Sequence, residues 1–163
     1  YNLGIWEEEA FSNSYHFLKS SDEEIVNLIG TNITSAIILL KRLIPRILKS
    51  KRPQIVLTGS TSGLPQSGDP EVAFGASKFA LRGIANALRE GFREEKLAVT
   101  CLQIGDLNTE DSISEPIDIA CQRGNGSLIP LHDVVDITRA LLKISNSSYV
   151  NEITLPAILD ARF

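Results

Sequence analysis

GSTSGLPQSGDPEVAFGASK, residues Gly59 to Lys78, joins a short apolar run to a segment with helical spacing. The run before it, QIVLT (54–58), is bounded by Lys51-Arg52-Pro53 and Gly59 and suits a buried parallel strand. Gly63, Pro65, Gly68 and Pro70 then predict a loop, and a helix follows over about 71–95. Phe74 and Lys78 are about one helical turn apart and so share a face. Ser60 falls at the carboxyl end of the strand, the edge where open α/β sheets hold their ligands.

Upstream, Ser21-Asp22-Glu23-Glu24 reads as a capping box, a hydroxyl at the N-cap with a carboxylate three residues on. Apolar residues continue from Ile25 through Ile29, Ile33, Ala36, Ile37, Leu40, Leu43, Ile44 and Ile47, with Ile38 and Leu39 widening the stripe. A helix with so wide a stripe is covered on two sides. Pro45 predicts a kink or an early end. Asn32 is disfavoured by propensity inside this helix, because its amide competes for backbone bonds; it is either a functional residue or a polar residue facing water. Residues 5–20, with Glu7 to Glu9, Tyr15 and His16, read as a surface excursion with His16 solvated.

Downstream, the helix at 71–95 turns Phe79, Ile84, Leu88 and Phe92 inward and Arg82, Arg89 and Arg93 to water. LAVTCLQI (97–104) reads as a second buried strand, followed by Gly105-Asp106-Leu107-Asn108-Thr109. Residues 110–127 read as a mobile surface loop. A helix over Asp133–Ile144 and a strand over 152–159 close the chain, Pro156 placing that strand at an edge or ending it early. Strands alternating with helices give an α/β fold with a parallel sheet and right-handed crossovers, in a single domain over 1–163.

The composition narrows the classes. A formal net charge of -4 argues against nucleic acid and anionic membrane surfaces as partners. Cys101 reads as a small core residue, and nothing in the two cysteines suggests a disulfide or a metal site. No apolar run approaches the ~18 residues of a membrane span and no signal peptide opens the chain, so a cytoplasmic setting is expected. The chain starts at Tyr1 and contains no methionine, which reads as a piece of a longer protein, with a trimmed, Met-poor protein as the alternative.

The order and spacing of Asn32, Ser60, Lys78, Gly105 and Thr109 resemble the short-chain dehydrogenase/reductase family. That family carries an active-site serine after a strand and then Tyr-x-x-x-Lys on a helix. Ser60 matches the serine, with Gly63 three residues on, and Lys78 matches the lysine. Phe74 stands where the family has its catalytic tyrosine. Asn32 falls where the family has an asparagine that helps hold a relay water. Asn2 and Gly4 resemble a remnant of the Asn-Asn-Ala-Gly turn lining the nucleotide site. Gly105 and Thr109 match the Pro-Gly-x-x-x-Thr segment that holds the nicotinamide carboxamide, with Ile104 replacing the proline.

The resemblance implies a Rossmann-like doubly wound parallel sheet lacking its N-terminal half in this chain. No Gly-rich pyrophosphate turn occurs in residues 1–163; about 80 upstream residues would be needed to supply one. It further implies NAD or NADP as cofactor, a small carbonyl or alcohol substrate, no metal, and a homo-oligomer, commonly a dimer, through helices near 25–48 and 71–95. In such chemistry the tyrosine donates the proton, the serine polarises the carbonyl oxygen, and the lysine lowers the tyrosine pKa and holds the ribose. Phe74 has no hydroxyl. Tyr15 and Tyr149 have no expected path to the site, and Thr61, Ser62 and Ser77 offer only unactivated hydroxyls. Two readings therefore stand: an oxidoreductase with an impaired centre, and a non-catalytic nucleotide-binding or oligomerising relative.

Overall fold

The computed structural model describes residues 1–163. Its main sheet has three parallel strands, β1 (Gln54–Thr58), β2 (Ala98–Ile104) and β5 (Glu152–Leu155), in the order β1-β2-β5. β2 is central and almost wholly buried, as a parallel strand covered on both faces must be. β5 lies at the edge and stops at Leu155, immediately before Pro156, in line with the expected effect of that proline. Along the other edge, the Tyr1 amino group donates to the Val56 carbonyl at 2.7 Å and the Tyr1 carbonyl accepts from Thr58 N–H at 3.0 Å. A short parallel pair, β3 (Leu107–Asn108) with β4 (Ile129–Pro130), lies apart from the main sheet.

Side-chain alternation on the strands sorts the helices onto two faces. Ile55 and Leu57 of β1 and Val99 and Cys101 of β2 pack with Ala36, Leu40 and Ile44 of α2 (Ser35–Ile47) and with Leu81 and Ala85 of α3 (Val72–Gly91). Val56, Leu102 and Ile104 face the other way, against Val134 and Ile137 of α5 (Leu131–Lys143). With helices on both faces of a parallel sheet, the fold is the expected α/β type.

Several local expectations change. Ser21 caps α1 (Asp22–Ile29) by accepting from Glu24 N–H at 3.1 Å, but the Glu24 carboxylate accepts from Glu8 N–H at 2.6 Å instead of returning to Ser21. A π turn at Gly30–Thr34 joins α1 and α2 into one 26-residue helix, Asp22–Ile47. Pro45 does not end it, because it lies on the exposed face where the carbonyl it leaves without a donor can be hydrated. Contrary to the sequence expectation, this helix is long and apolar enough to cross a membrane by length and composition. Here its Ala36-Leu40-Ile44 row is packed into the core against the sheet.

On α3 the buried row is Phe74, Ser77, Lys78, Leu81 and Ala85, with Ile84, Leu88 and Phe92 packed against the same core as expected; Phe79 is exposed instead, because two polar residues, Ser77 and Lys78, belong to the buried stripe. Residues 110–127 are not merely a surface loop: they include α4 (Ile117–Gly124), tied down by Asn108, whose amide donates to Asp111 at 2.7 Å and to the Ala120 carbonyl at 3.0 Å.

Candidate active site

Two close approaches set the site where β1 hands over to α3. Ser60 follows β1 by two residues and caps a 3-10 turn, Thr61–Gly63, its Oγ accepting from Ser62 N–H at 3.2 Å. A Cβ on Gly63 would lie 2.7 Å from the Lys78 carbonyl carbon, so only glycine lets this turn rest on α3. The Ser60 N–H donates to Gln103 Oε1 at 3.0 Å, and Gln103 Nε2 donates to Glu152 at 2.9 Å. Glu152 in turn holds Arg82 through two bonds of 2.7 and 3.1 Å. Gln103 is fully buried, so the backbone of Ser60 is fixed by a chain of hydrogen bonds that crosses the sheet.

Lys78 comes up beneath this turn. Its side chain is buried, its Nζ donates to the Thr58 carbonyl at 3.4 Å, and it lies 5.4 Å from the centroid of the Phe74 ring. Burial pushes the Lys78 ammonium below the usual lysine range, since desolvation disfavours its charge. A Cβ on Gly4 would meet Lys78 Nζ at 3.2 Å and Asn32 Oδ1 at 3.5 Å. Asn32 sits on the π turn with its amide clamped on Ile5: Oδ1 accepts from Ile5 N–H at 2.8 Å and Nδ2 donates to the Ile5 carbonyl at 2.8 Å. The second Nδ2 proton goes to Ser77 Oγ at 2.9 Å. Asn32 is therefore not a polar residue facing water. It is buried and pins the Gly4–Ile5 backbone over Lys78.

Phe74 packs edge-to-face with Phe11 (5.2 Å, 88°) and Trp6 (6.5 Å, 89°). Both rings come from the segment expected to be a surface excursion, and so does a buried carboxylate. Glu7 Oε1 accepts from Ala73 N–H at 3.0 Å and Phe74 N–H at 3.2 Å, capping the first turn of α3. A carboxylate there satisfies orphan donors and meets the positive end of the helix dipole. Tyr15 also reaches this turn, its hydroxyl accepting from Val72 N–H at 3.1 Å, although no path to the site was expected. Burial raises its phenol pKa, the wrong direction for a group that must ionise.

The structure thus gathers Gly4, Asn32, Ser60, Phe74 and Lys78 around one strand-to-helix junction. Gly105 holds the equivalent end of β2, its N–H donating to the Leu155 carbonyl at 2.9 Å. Asn2 and Thr109 are exposed. The residues could hold the nicotinamide–ribose end of a dinucleotide: Lys78 brings a buried ammonium to the junction, and Gly4 lets the backbone come close beside it without a side chain pressing on it.

Comparison with known proteins bears on the family and the fold. A sequence model of the family described as short chain dehydrogenase matches residues 2–117. A 3-oxoacyl-[acyl-carrier-protein] reductase of Bos taurus is 23% identical over 133 residues, 82% of this chain and 55% of the relative. An oxidoreductase of Sarocladium schorii is 30% identical over 93 residues, 56% of this chain and 36% of the relative. The chain thus spans about half the length, or less, of these curated relatives. Among solved structures, 4-hydroxyisoleucine dehydrogenase complexed with NADH superposes with a TM-score of 0.72 at 24% identity, covering 97% of this chain and 65% of the other. The closed form of serine dehydrogenase complexed with NADP+ gives 0.72 at 18% identity, covering 94% and 62%.

Proposed function

Because the chain belongs to the short-chain dehydrogenase/reductase family, we propose that it carries the catalytic side of a nicotinamide-dependent oxidoreductase for a small carbonyl or alcohol substrate, with its proton-transfer step weakened by Phe74. The observation that carries this reading is the state of Lys78. A buried ammonium has three protons to donate, yet one backbone carbonyl at 3.4 Å is its only hydrogen-bond partner. Ribose hydroxyls would supply further acceptors, and Gly4 keeps any side chain from crowding that ammonium. The cofactor, NAD or NADP, supplies the hydride when bound. Ser60 would hold the substrate oxygen, and Asn32 would keep the Gly4–Ile5 backbone in place beside the ribose. Phe74 shapes the site but moves no proton.

That last point favours a second reading, a relative that binds nucleotide or assembles without turnover. The exposed apolar residues Ile37, Ile38, Leu39 and Leu43 of α2 and Phe79 of α3 suit pairing of two copies under either reading. Phe74→Tyr in the full-length protein separates the two. General acid catalysis is worth about 10²–10⁴-fold, so the variant should gain carbonyl reduction on that order while NAD(P)H binding stays unchanged. Cofactor binding with no gain in turnover would refute the oxidoreductase reading and leave the second.

A further inference from the structure

A cavity of about 240 Å³ opens at the amino-terminal ends of β1 and β2, lined by Gln54 and Ala98 where those strands begin. Ser60 and Gly105 follow the opposite ends, so the length of β1, about 17 Å, separates this cavity from the candidate active site. Its wall carries Lys51, Arg52, Arg89, Arg93 and Lys96 against a single carboxylate, Glu95, in a chain whose formal charge is -4. The turn at 145–148 adds serine and asparagine side chains to the rim, and Asn146 donates to the Lys51 carbonyl at 2.9 Å.

Two of the five cations are engaged. Arg89 donates to the Val99 carbonyl at 2.6 Å and lies over the Tyr149 ring, and Arg93 pairs with Glu90. Lys51, Arg52 and Lys96 form no ion pair. Arg52 is the sharper case: its Nε and Nη2 are buried with no hydrogen-bond acceptor. Those two nitrogens are out of a ligand's reach, but the guanidinium's charge adds to the field of the cavity, which favours an anion. Lys96 adds a backbone observation, since it holds φ at +58°, a conformation that costs a residue with a side chain and recurs at ligand clamps.

We propose that this cavity is a second binding site, for a small phosphate-bearing anion, at the sheet edge opposite the nicotinamide end. Shape favours a compact solute over an extended polyanion, because the cations surround one concavity instead of forming a stripe.

The test is calorimetric titration of inorganic pyrophosphate into the full-length protein, with and without saturating NADPH, alongside thermal melts. The expected result is saturable binding that persists in NADPH and weakens steeply with salt. At about a hundred times Kd the melting temperature should rise on the order of 5 °C. Lys51→Gln with Lys96→Asn should lower the affinity at least about tenfold while NADPH binding is unchanged. Both residues are exposed, and asparagine tolerates the left-handed conformation, so the variant should keep the fold. Absence of saturable binding, loss of binding in NADPH, or equal affinity in the double variant would each overturn the proposal.

Discussion

Replacing Gly63 with alanine tests how the serine turn is seated on α3. An alanine Cβ there would lie 2.7 Å from the Lys78 carbonyl carbon, and 2.9 Å from both Lys78 Cβ and the Lys78 carbonyl oxygen. Ordinary contact begins at 3.4 Å, so the turn and the helix must part by about 0.7 Å. Helix backbone cannot yield as the end of a flexible side chain does. Overpacking of this kind costs about 1–3 kcal/mol. In the same helix Gly83 is the opposite case, exposed with nothing within 4 Å of its Cβ position. Alanine at 83 should stabilise by about 0.4–1 kcal/mol, by reducing the freedom of the unfolded chain. For a chain of this size each kcal/mol moves the melting temperature by about 2–4 °C. Urea unfolding of the purified protein, followed by circular dichroism, should therefore show a lower midpoint for Gly63→Ala and a higher one for Gly83→Ala at unchanged slope. A Gly63→Ala midpoint within about 0.5 kcal/mol of the parent, or shifts of the same sign in both variants, would refute the packing argument.

Glu7→Ala removes the acceptor for two helix N–H groups and a charge at the helix start, and should cost about 1–3 kcal/mol by the same unfolding assay. Glu7→Gln keeps an acceptor and should cost less; an alanine variant as stable as the parent would contradict the capping role. Lys78 gives a pH signature. Its folded pKa is lowered by burial, so between that value and the ordinary 10.5 the unfolded chain binds more protons and stability rises with pH. The penalty is present below the folded pKa and is gone once pH passes the unfolded one. Lys78→Met should abolish this alkaline rise, and a parent-minus-variant difference that is flat from neutral pH to pH 11 would count against it.

Much of this arrangement could be read from residue pattern. The apolar runs at 54–58 and 97–104, the serine N-cap at 21 and Pro156 each act through local geometry, and local geometry is what a sequence displays. On α3 the same rule held for Ile84, Leu88 and Phe92, which pack against the core, but not for the first turns of the helix. Placing apolar residues inward selects Phe79, whereas the buried row includes Ser77 and Lys78, polar groups hidden because their partners come from elsewhere in the chain. Glu7 fails in the same way. Within three consecutive acids it reads as solvated, and only the return of residues 6–11 onto α3 makes it a cap. Gln103 did leave a signal, as a polar residue inside an otherwise apolar strand. A buried amide there needs partners, and Ser60 and Glu152 are the partners it finds.

These missed residues bear directly on how Phe74 should be understood. Glu7 holds its N–H, Ser77 Oγ donates to its carbonyl at 2.8 Å, and Trp6 and Phe11 flank its ring. A degraded site would be expected to lose the devices that orient the missing group, since nothing else would require them. Here backbone and ring are both fixed, and the neighbouring ammonium stays buried despite its desolvation. Part of that arrangement is explained by stability alone: the ring gives the ammonium a π face, and the carboxylate caps a helix. Lys78 itself donates one hydrogen bond, to the Thr58 carbonyl at 3.4 Å, and is the support on which the proposed ribose contact rests. If Lys78 holds the cofactor ribose as proposed, cofactor affinity, more than turnover, is the property that its substitution should affect first.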